Sequence, residues 1–254
     1  AGAAACLAID NRSSVQAVDY SALKFRLVAD QQRLVWPLAL SRSNLPGWTS
    51  QTLSENPLAS IVDTARLPRV LLIGDSVSMG YTLATRRLLK GHANVHRVPA
   101  NAGATSIGLS RLDAWLGDSK WDVIHFNFGL HDAKLPPEGV RHSRPDVYEQ
   151  NLRKLIDKLR ETGATLIWAS STPVPNGGNL APNRRFGSIH QYNAIAKRVM
   201  DEKAITINDL NDAVASQIDK LQKPNDVHFT EEGSEKLAEH VARAVGLALQ
   251  RKSQ

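Results

Sequence analysis

A serine, a glycine, two histidines and an aspartate stand at the turns of this chain where acyl-transfer chemistry would need them. Ser76 closes the block Gly74-Asp75-Ser76 in VLLIGDSVSMGYT. A serine hydroxyl is a weak nucleophile at its own pKa. It needs a base, the base needs an acceptor that fixes its tautomer, and the developing oxyanion needs N–H donors. Gly103 lies in NAGATS, His131 in NFGLHD, and Asp226 and His228 in KPNDVHFTEEG. Each has an ordinary structural use as well. Gly-Asp-Ser alone is good turn and N-cap chemistry, because Asp or Ser side chains accept from the first N–H groups of a helix. What gives these residues weight together is their position: each follows a predicted strand.

The elements read in a regular rhythm from Arg69 onward. RVLLIGD is an apolar run that predicts a buried strand, and SMGYTLATRRLLKG predicts a helix stopped at Gly91. NVHRVPA, WDVIHFNFG, ATLIWASSTP and AITINDL read as four further strands. Between and after them run the helical segments that end NAGATSIGLSRLDAWLG, DVYEQNLRKLIDKLRETG, SIHQYNAIAKRVMDEK and TEEGSEKLAEHVARAVGLALQ. Strands alternating with helices of about ten residues or more predict an α/β fold, a parallel sheet with helices on both faces and right-handed crossovers. Ligand sites of open α/β sheets lie outside the carboxyl ends of the strands. The loops carrying Ser76, Gly103, His131, Asp226 and His228 are therefore expected at one end of the sheet. Residues 1–65 include the apolar stretch ALKFRLVADQQRLVWPLAL and the turn-rich SRSNLPGWTSQTLSENP. They are expected to form an N-terminal extension packed on a main domain of residues 66–254.

Composition narrows the class. The chain has 254 residues, 42% hydrophobic and 22% charged, enough for a large core. No run of 18 apolar residues occurs, so no membrane span is expected. Cys6 is the only cysteine, which excludes an internal disulfide and a cysteine zinc site. The net charge is +6, from 31 basic and 25 acidic residues, but the basic residues are scattered and do not interleave with aromatics. A nucleic-acid partner is not expected. No glycine-rich phosphate loop opens any helix, the remaining histidines lack the spacing of a metal cluster, and no metal or cofactor is expected. The start AGAAAC, without Met, fits a processed N-terminus; a secreted or periplasmic location is favoured over a cytoplasmic one, and the oligomeric state is open.

With these blocks in place, the sequence resembles the SGNH, or GDSL-type, hydrolases over most of residues 69–249. The resemblance implies a flavodoxin-like three-layer sandwich with a five-stranded parallel sheet of order 2-1-3-4-5. It also implies that Ser76 is the nucleophile, that the backbone N–H of Gly103 donates to the oxyanion, and that Asp226 and His228 complete a triad. The G-x-S-x-G elbow of the α/β-hydrolases is not met, because residue 78 is Ser. Two departures from the family pattern stand out. The third block is usually Gly-x-Asn-Asp, with the Asn side chain donating to the oxyanion; here it reads GLHD. The His131 imidazole N–H can make the same bond if its tautomer allows. Asn127, which shares a strand face with Gly129, is the second donor candidate and could equally be a buried structural residue. The family also commonly has its Asp three residues before the His, where this chain has Asn225. Asp226, two before, is the expected partner, since a carboxylate stabilises the imidazolium by charge and an amide cannot; Asn225 is expected to shape the turn.

The expected activity is hydrolysis of small acyl esters, above all O-acetyl groups on a saccharide, through an acyl-enzyme on Ser76. Acetyl and sugar are implied by the resemblance. A lipase, thioesterase or arylesterase would use the same residues, an acyltransferase would replace water by a hydroxyl, and a non-catalytic binding module is the remaining alternative. STPVPNGGNLAPN reads as a long irregular loop overhanging the site, and Arg184 and Arg185 after it could bind a substrate carboxylate. They could also begin the next helix and point to solvent.

Overall fold

Four consecutive apolar side chains with almost no exposed surface, Val70 to Ile73, make β3 (Arg69–Ile73) a strand covered on both faces. Such a run is what a central parallel strand requires. The computed structural model describes residues 6–9, 15–18, 56–135 and 143–252. In it β3 lies between β4 (Asn94–Arg97) and β5 (Val123–Phe126), followed outward by β7 (Thr165–Ala169) and β10 (Thr206–Asn208). All four neighbouring pairs are parallel. Numbered by chain order within this sheet, the strands run 2-1-3-4-5, as expected.

The reversal of direction at β3 sorts the helices. Right-handed crossovers to opposite sides of one strand place their helices on opposite faces. α1 (Ser76–Leu88) connects β3 to β4, and α2 (Thr105–Leu116) connects β4 back to β5. α4 (Pro145–Glu161) packs beside α2 and α5 (Ile189–Glu202) beside α4, while the closing helix α8 (Glu231–Lys252) returns to pack on α1. α4 shows why these segments are helices. Tyr148, Leu152, Leu155, Ile156 and Leu159 are fully buried at spacings of three and four, while the intervening residues are largely polar. Each such side chain contributes about 1.5–3 kcal/mol on burial.

The chain divides into two units, Ala1–Pro46 and Gly47–Gln254. Within the first, β1 (Cys6–Ile9) and β2 (Val15–Val18) pair antiparallel with Cys6 opposite Val18. The stretch ALKFRLVADQQRLVWPLAL lies outside the described residues. Residues 56–65, the end of the expected extension, belong to the larger unit and trim the edge strand β4. Asp63 pairs with Arg69 and His96, and the Asn94 side chain accepts from Thr64 N and donates to the carbonyls of Thr64 and Leu67.

One segment departs from the sequence reading. Most of the stretch read as an irregular loop after the fourth strand is irregular, but β8 (Asn179–Leu180) within it pairs with β9 (Arg184–Phe186), which pairs in turn with β6 (Lys134–Leu135), to make a small antiparallel sheet of order β6-β9-β8. Gly178 makes the close approach possible: its φ is +89°, and a Cβ there would lie 2.5 Å from the Phe186 carbonyl oxygen. Arg184 and Arg185 are thus strand residues and do not start α5, whose cap is Ser188.

Candidate active site

The Gly-Asp-Ser turn divides its two roles between neighbouring residues. Asp75 takes the structural one: it is the N-cap of α1, and its Oδ1 accepts from Val77 N at 2.9 Å. Ser76 is the first helical residue, half-buried at the carboxyl end of β3, with its hydroxyl left for another partner. Beneath the turn lies a side chain the sequence reading did not single out. Arg97, buried at the end of β4, donates to the carbonyls of Gly74 (2.8 Å) and Asp75 (3.1 Å) and to Ser78 Oγ. Burial lowers its pKa to about 10, against the pull of Tyr81 and Asp75; the group stays charged at neutral pH. The guanidinium therefore clamps the two carbonyls that precede the serine. The one available signal was a cation at the carboxyl end of a buried strand.

The partner of Ser76 comes from the far end of the chain. Residues 222–229 link α7 (Ile218–Leu221) to α8 and are closed at their base. Leu221 O accepts from both Thr230 N and Thr230 Oγ1, and Gln222 pairs with Phe229. At the tip, His228 Nε2 lies 2.8 Å from Ser76 Oγ, and His228 Nδ1 lies 2.9 Å from Asp226 Oδ1. An ionised carboxylate only accepts, so Nδ1 carries the proton and Nε2 is left to accept from the serine hydroxyl. Burial works against ionisation of Asp226, but the bonds from His228 and Val227 N outweigh it and hold the carboxyl below the usual range. Asn225 adopts a left-handed backbone (φ +52°), and its Oδ1 accepts from Asn176 Nδ2 at 2.9 Å and Ala181 N at 3.3 Å. Its side chain faces the β8–β9 segment, while Asp226 faces the imidazole.

The donor candidates are arranged unequally. Gly103 has φ +64° in the loop before α2, and its N–H donates to Asn101 Oδ1 at 2.9 Å. That amide oxygen sits where an incoming anionic oxygen would take the same N–H. His131 lies on α3 (Leu130–Ala133), half-buried, beside Asp132. Asp132 is fully buried and accepts from Thr105 N and Thr105 Oγ1, which joins the His131 block to the start of α2. Burial raises the Asp132 carboxyl pKa despite these bonds. Asn127 Nδ2 donates to Ala169 O (2.8 Å) and Ser171 Oγ (3.2 Å), at and just beyond the end of β7. Arg184 donates from both terminal nitrogens to Asp226 Oδ1, at 3.2 and 3.3 Å. Successive strand residues face opposite ways, so Arg185 points away from that carboxylate.

Residues 72–236 match the model of the GDSL-like lipase/acylhydrolase family. The chain belongs to this family. It is 26% identical over 121 residues to an arylesterase of Vibrio mimicus, a match covering 43% of this chain and 58% of the relative. The chain thus spans less than two thirds of that relative's length. Among solved structures of the same fold, a lipase/acylhydrolase of Enterococcus faecalis has a TM-score of 0.61 at 21% identity, covering 70% of this chain and 95% of that one. An acetyl xylan esterase has a TM-score of 0.58 at 17% identity, covering 70% and 99%. Among the described residues of this GDSL-like chain, no helix is long and apolar enough to cross a membrane.

Proposed function

We propose that the protein is a serine esterase that removes small acyl groups, O-acetyl groups on a saccharide foremost, and that Ser76, His228 and Asp226 are its catalytic residues. The observation that carries this reading is the hydrogen-bonded line from Ser76 Oγ through His228 to Asp226, at 2.8 and 2.9 Å. Ser76 Oγ attacks the ester carbonyl carbon while its proton passes to His228 Nε2, and Asp226 stabilises the imidazolium. The tetrahedral intermediate collapses as the His228 proton moves to the leaving alkoxide and the alcohol departs. Water, deprotonated by His228, then attacks the acyl-enzyme, and collapse returns the proton to Ser76 Oγ and frees the acid. The N–H groups of Ser76 and Gly103 and the His131 imidazole N–H are the proposed donors to the oxyanion. For Gly103 this requires the Asn101 side chain to yield its hydrogen bond to the substrate. Asn127 is left out of the set because its amide hydrogens are already used.

Support for a short acyl group and a sugar alcohol comes from the name of one similar structure, an acetyl xylan esterase; the similar arylesterase supports ester hydrolysis itself. The test is an ester panel that varies acyl length on one aryl alcohol and includes acetylated polysaccharides, with Ser76→Ala as the blank. Highest kcat/KM on acetyl esters, with acetate released from the polysaccharide, is the expected result. A preference for long acyl chains would replace acetyl esterase by lipase. Turnover retained in Ser76→Ala would overturn the mechanism.

A further inference from the structure

We infer that Arg184 is a positioning residue for the proton relay: it anchors Asp226 and ties the loop that carries the base to the segment that carries His131. The inference rests on the reading of Ser76, His228 and Asp226 given above. The family position three before the histidine is Asn225, and its side chain is turned to Asn176 and Ala181. The carboxylate comes instead from a residue only two positions away from the imidazole. One oxygen then does all the work. Asp226 Oδ1 accepts from Val227 N at 2.7 Å, His228 Nδ1 at 2.9 Å and the two Arg184 nitrogens at 3.2 and 3.3 Å. The first two donors belong to the same short turn and move with it. Among the described residues, Arg184 is the one that reaches Asp226 from another element.

That element is β9, the middle strand of the small sheet. On its other edge β9 pairs with β6, Lys134 opposite Phe186 and Leu135 opposite Arg185, and Gly187 N donates to Ala133 O at 2.7 Å. β6 follows directly on α3, which carries His131. A single short strand therefore connects the acid–base loop to the proposed oxyanion donor. A planar guanidinium suits this role because its nitrogens are fixed relative to one another, so two bonds to one oxygen restrict its rotation more than a lysine ammonium would. The same geometry removes Arg184 as a receptor for a substrate carboxylate, since its fork is already directed at Asp226.

The experiment compares Arg184→Met, Arg184→Lys and Arg185→Met with the wild type on a neutral aryl acetate and on an acidic acetylated saccharide, with thermal unfolding recorded for each. Partners that orient a working side chain typically contribute about 10- to 100-fold. Arg184→Met is expected to lose about that much in kcat on the aryl acetate with KM changed less than about twofold, because a residue that acts through Asp226 does not bind the substrate. Arg184→Lys is expected to recover part of the loss, and Arg185→Met to keep wild-type kcat. Wild-type kcat in Arg184→Met would overturn the inference, as would a loss confined to KM for an acidic acetylated saccharide, which would make Arg184 a substrate ligand. If Arg184→Met does not fold, Arg184→Lys decides: a folded lysine variant with unchanged kcat and KM overturns the inference, and one with reduced kcat at unchanged KM upholds it. A wild type and Arg185→Met without esterase activity would instead remove the proposed function on which the inference stands.

Discussion

Asp226 and Asn225 are adjacent residues with side chains turned to different partners, and that difference makes a prediction. Asp226→Asn replaces an acceptor facing His228 Nδ1 by an amide, which permits the wrong imidazole tautomer; kcat is expected to fall by roughly a thousandfold to ten-thousandfold. Asn225→Ala removes the bonds to Asn176 and Ala181. It is expected to lower stability by about 1–2 kcal/mol while costing far less activity. Steady-state kinetics with urea unfolding of both variants checks the pair, and a larger kcat loss in Asn225→Ala would reverse the assignment. His131→Ala is expected to lower kcat by about a hundredfold to a thousandfold with little change in KM, since an oxyanion contact strengthens only in the transition state. A histidine that merely packs would show lowered thermal stability with normal turnover. The grouping of Ser76, Asp226 and His228 was legible because residue type and position after a strand both pointed to it. Arg97 was not, since its main acceptors are the backbone carbonyls of Gly74 and Asp75, and a carbonyl leaves no mark in a sequence.

Elements were most legible where an apolar run or a helical period was long. The buried strands β3 and β5 and the striped helix α4 carry enough residues for an apolar run or a helical period to stand out. β6, β8 and β9 have two or three residues each, too few for alternation, and they meet only because Lys134 and Phe186 are brought together by the fold. The start of α8 shows how tightly an element can hold the site. A Cβ on Gly233 would lie 2.2 Å from the backbone oxygen of Leu221 and 2.9 Å from the Phe229 ring. Leu221 O is also the acceptor that closes loop 222–229. Backbone cannot swing aside as a side chain can, so Gly233→Ala is expected to cost about 1–3 kcal/mol by overpacking. Because the loop carries Asp226 and His228, kcat is expected to fall further than the folded fraction does. Thermal unfolding and kcat measured on the same sample check this; a destabilised variant with full turnover per folded molecule would separate the helix start from the site.

At the scale of the whole molecule, the core contains a titratable group outside the proposed machinery. His125 on β5 is fully buried; its Nε2 lies 3.1 Å from Asn208 Nδ2, and Tyr81 meets it edge-on. Burial lowers its pKa to about 4. The unfolded chain takes up this proton near pH 6.5, so between the two values the unfolded state binds more protons and stability falls as pH falls. The loss is of order 3 kcal/mol across that window and levels off below it. Asp226, with a lowered pKa, loses its contribution only under more acid conditions, and Asp132, with a raised one, acts in the opposite sense. The difference between wild type and His125→Leu isolates the histidine. Urea unfolding between pH 7 and pH 4 is expected to show a shallower acid decline in the variant, and equal declines would refute the assignment. The proposed mechanism turns on one oxygen atom, Ser76 Oγ, held 2.8 Å from His228 Nε2. Its most direct test is treatment with a fluorophosphonate, followed by intact mass and peptide mapping. One adduct per chain is expected, on Ser76, absent in Ser76→Ala and strongly slowed in His228→Ala. An unlabelled wild type, or an adduct that persists in Ser76→Ala, would contradict it.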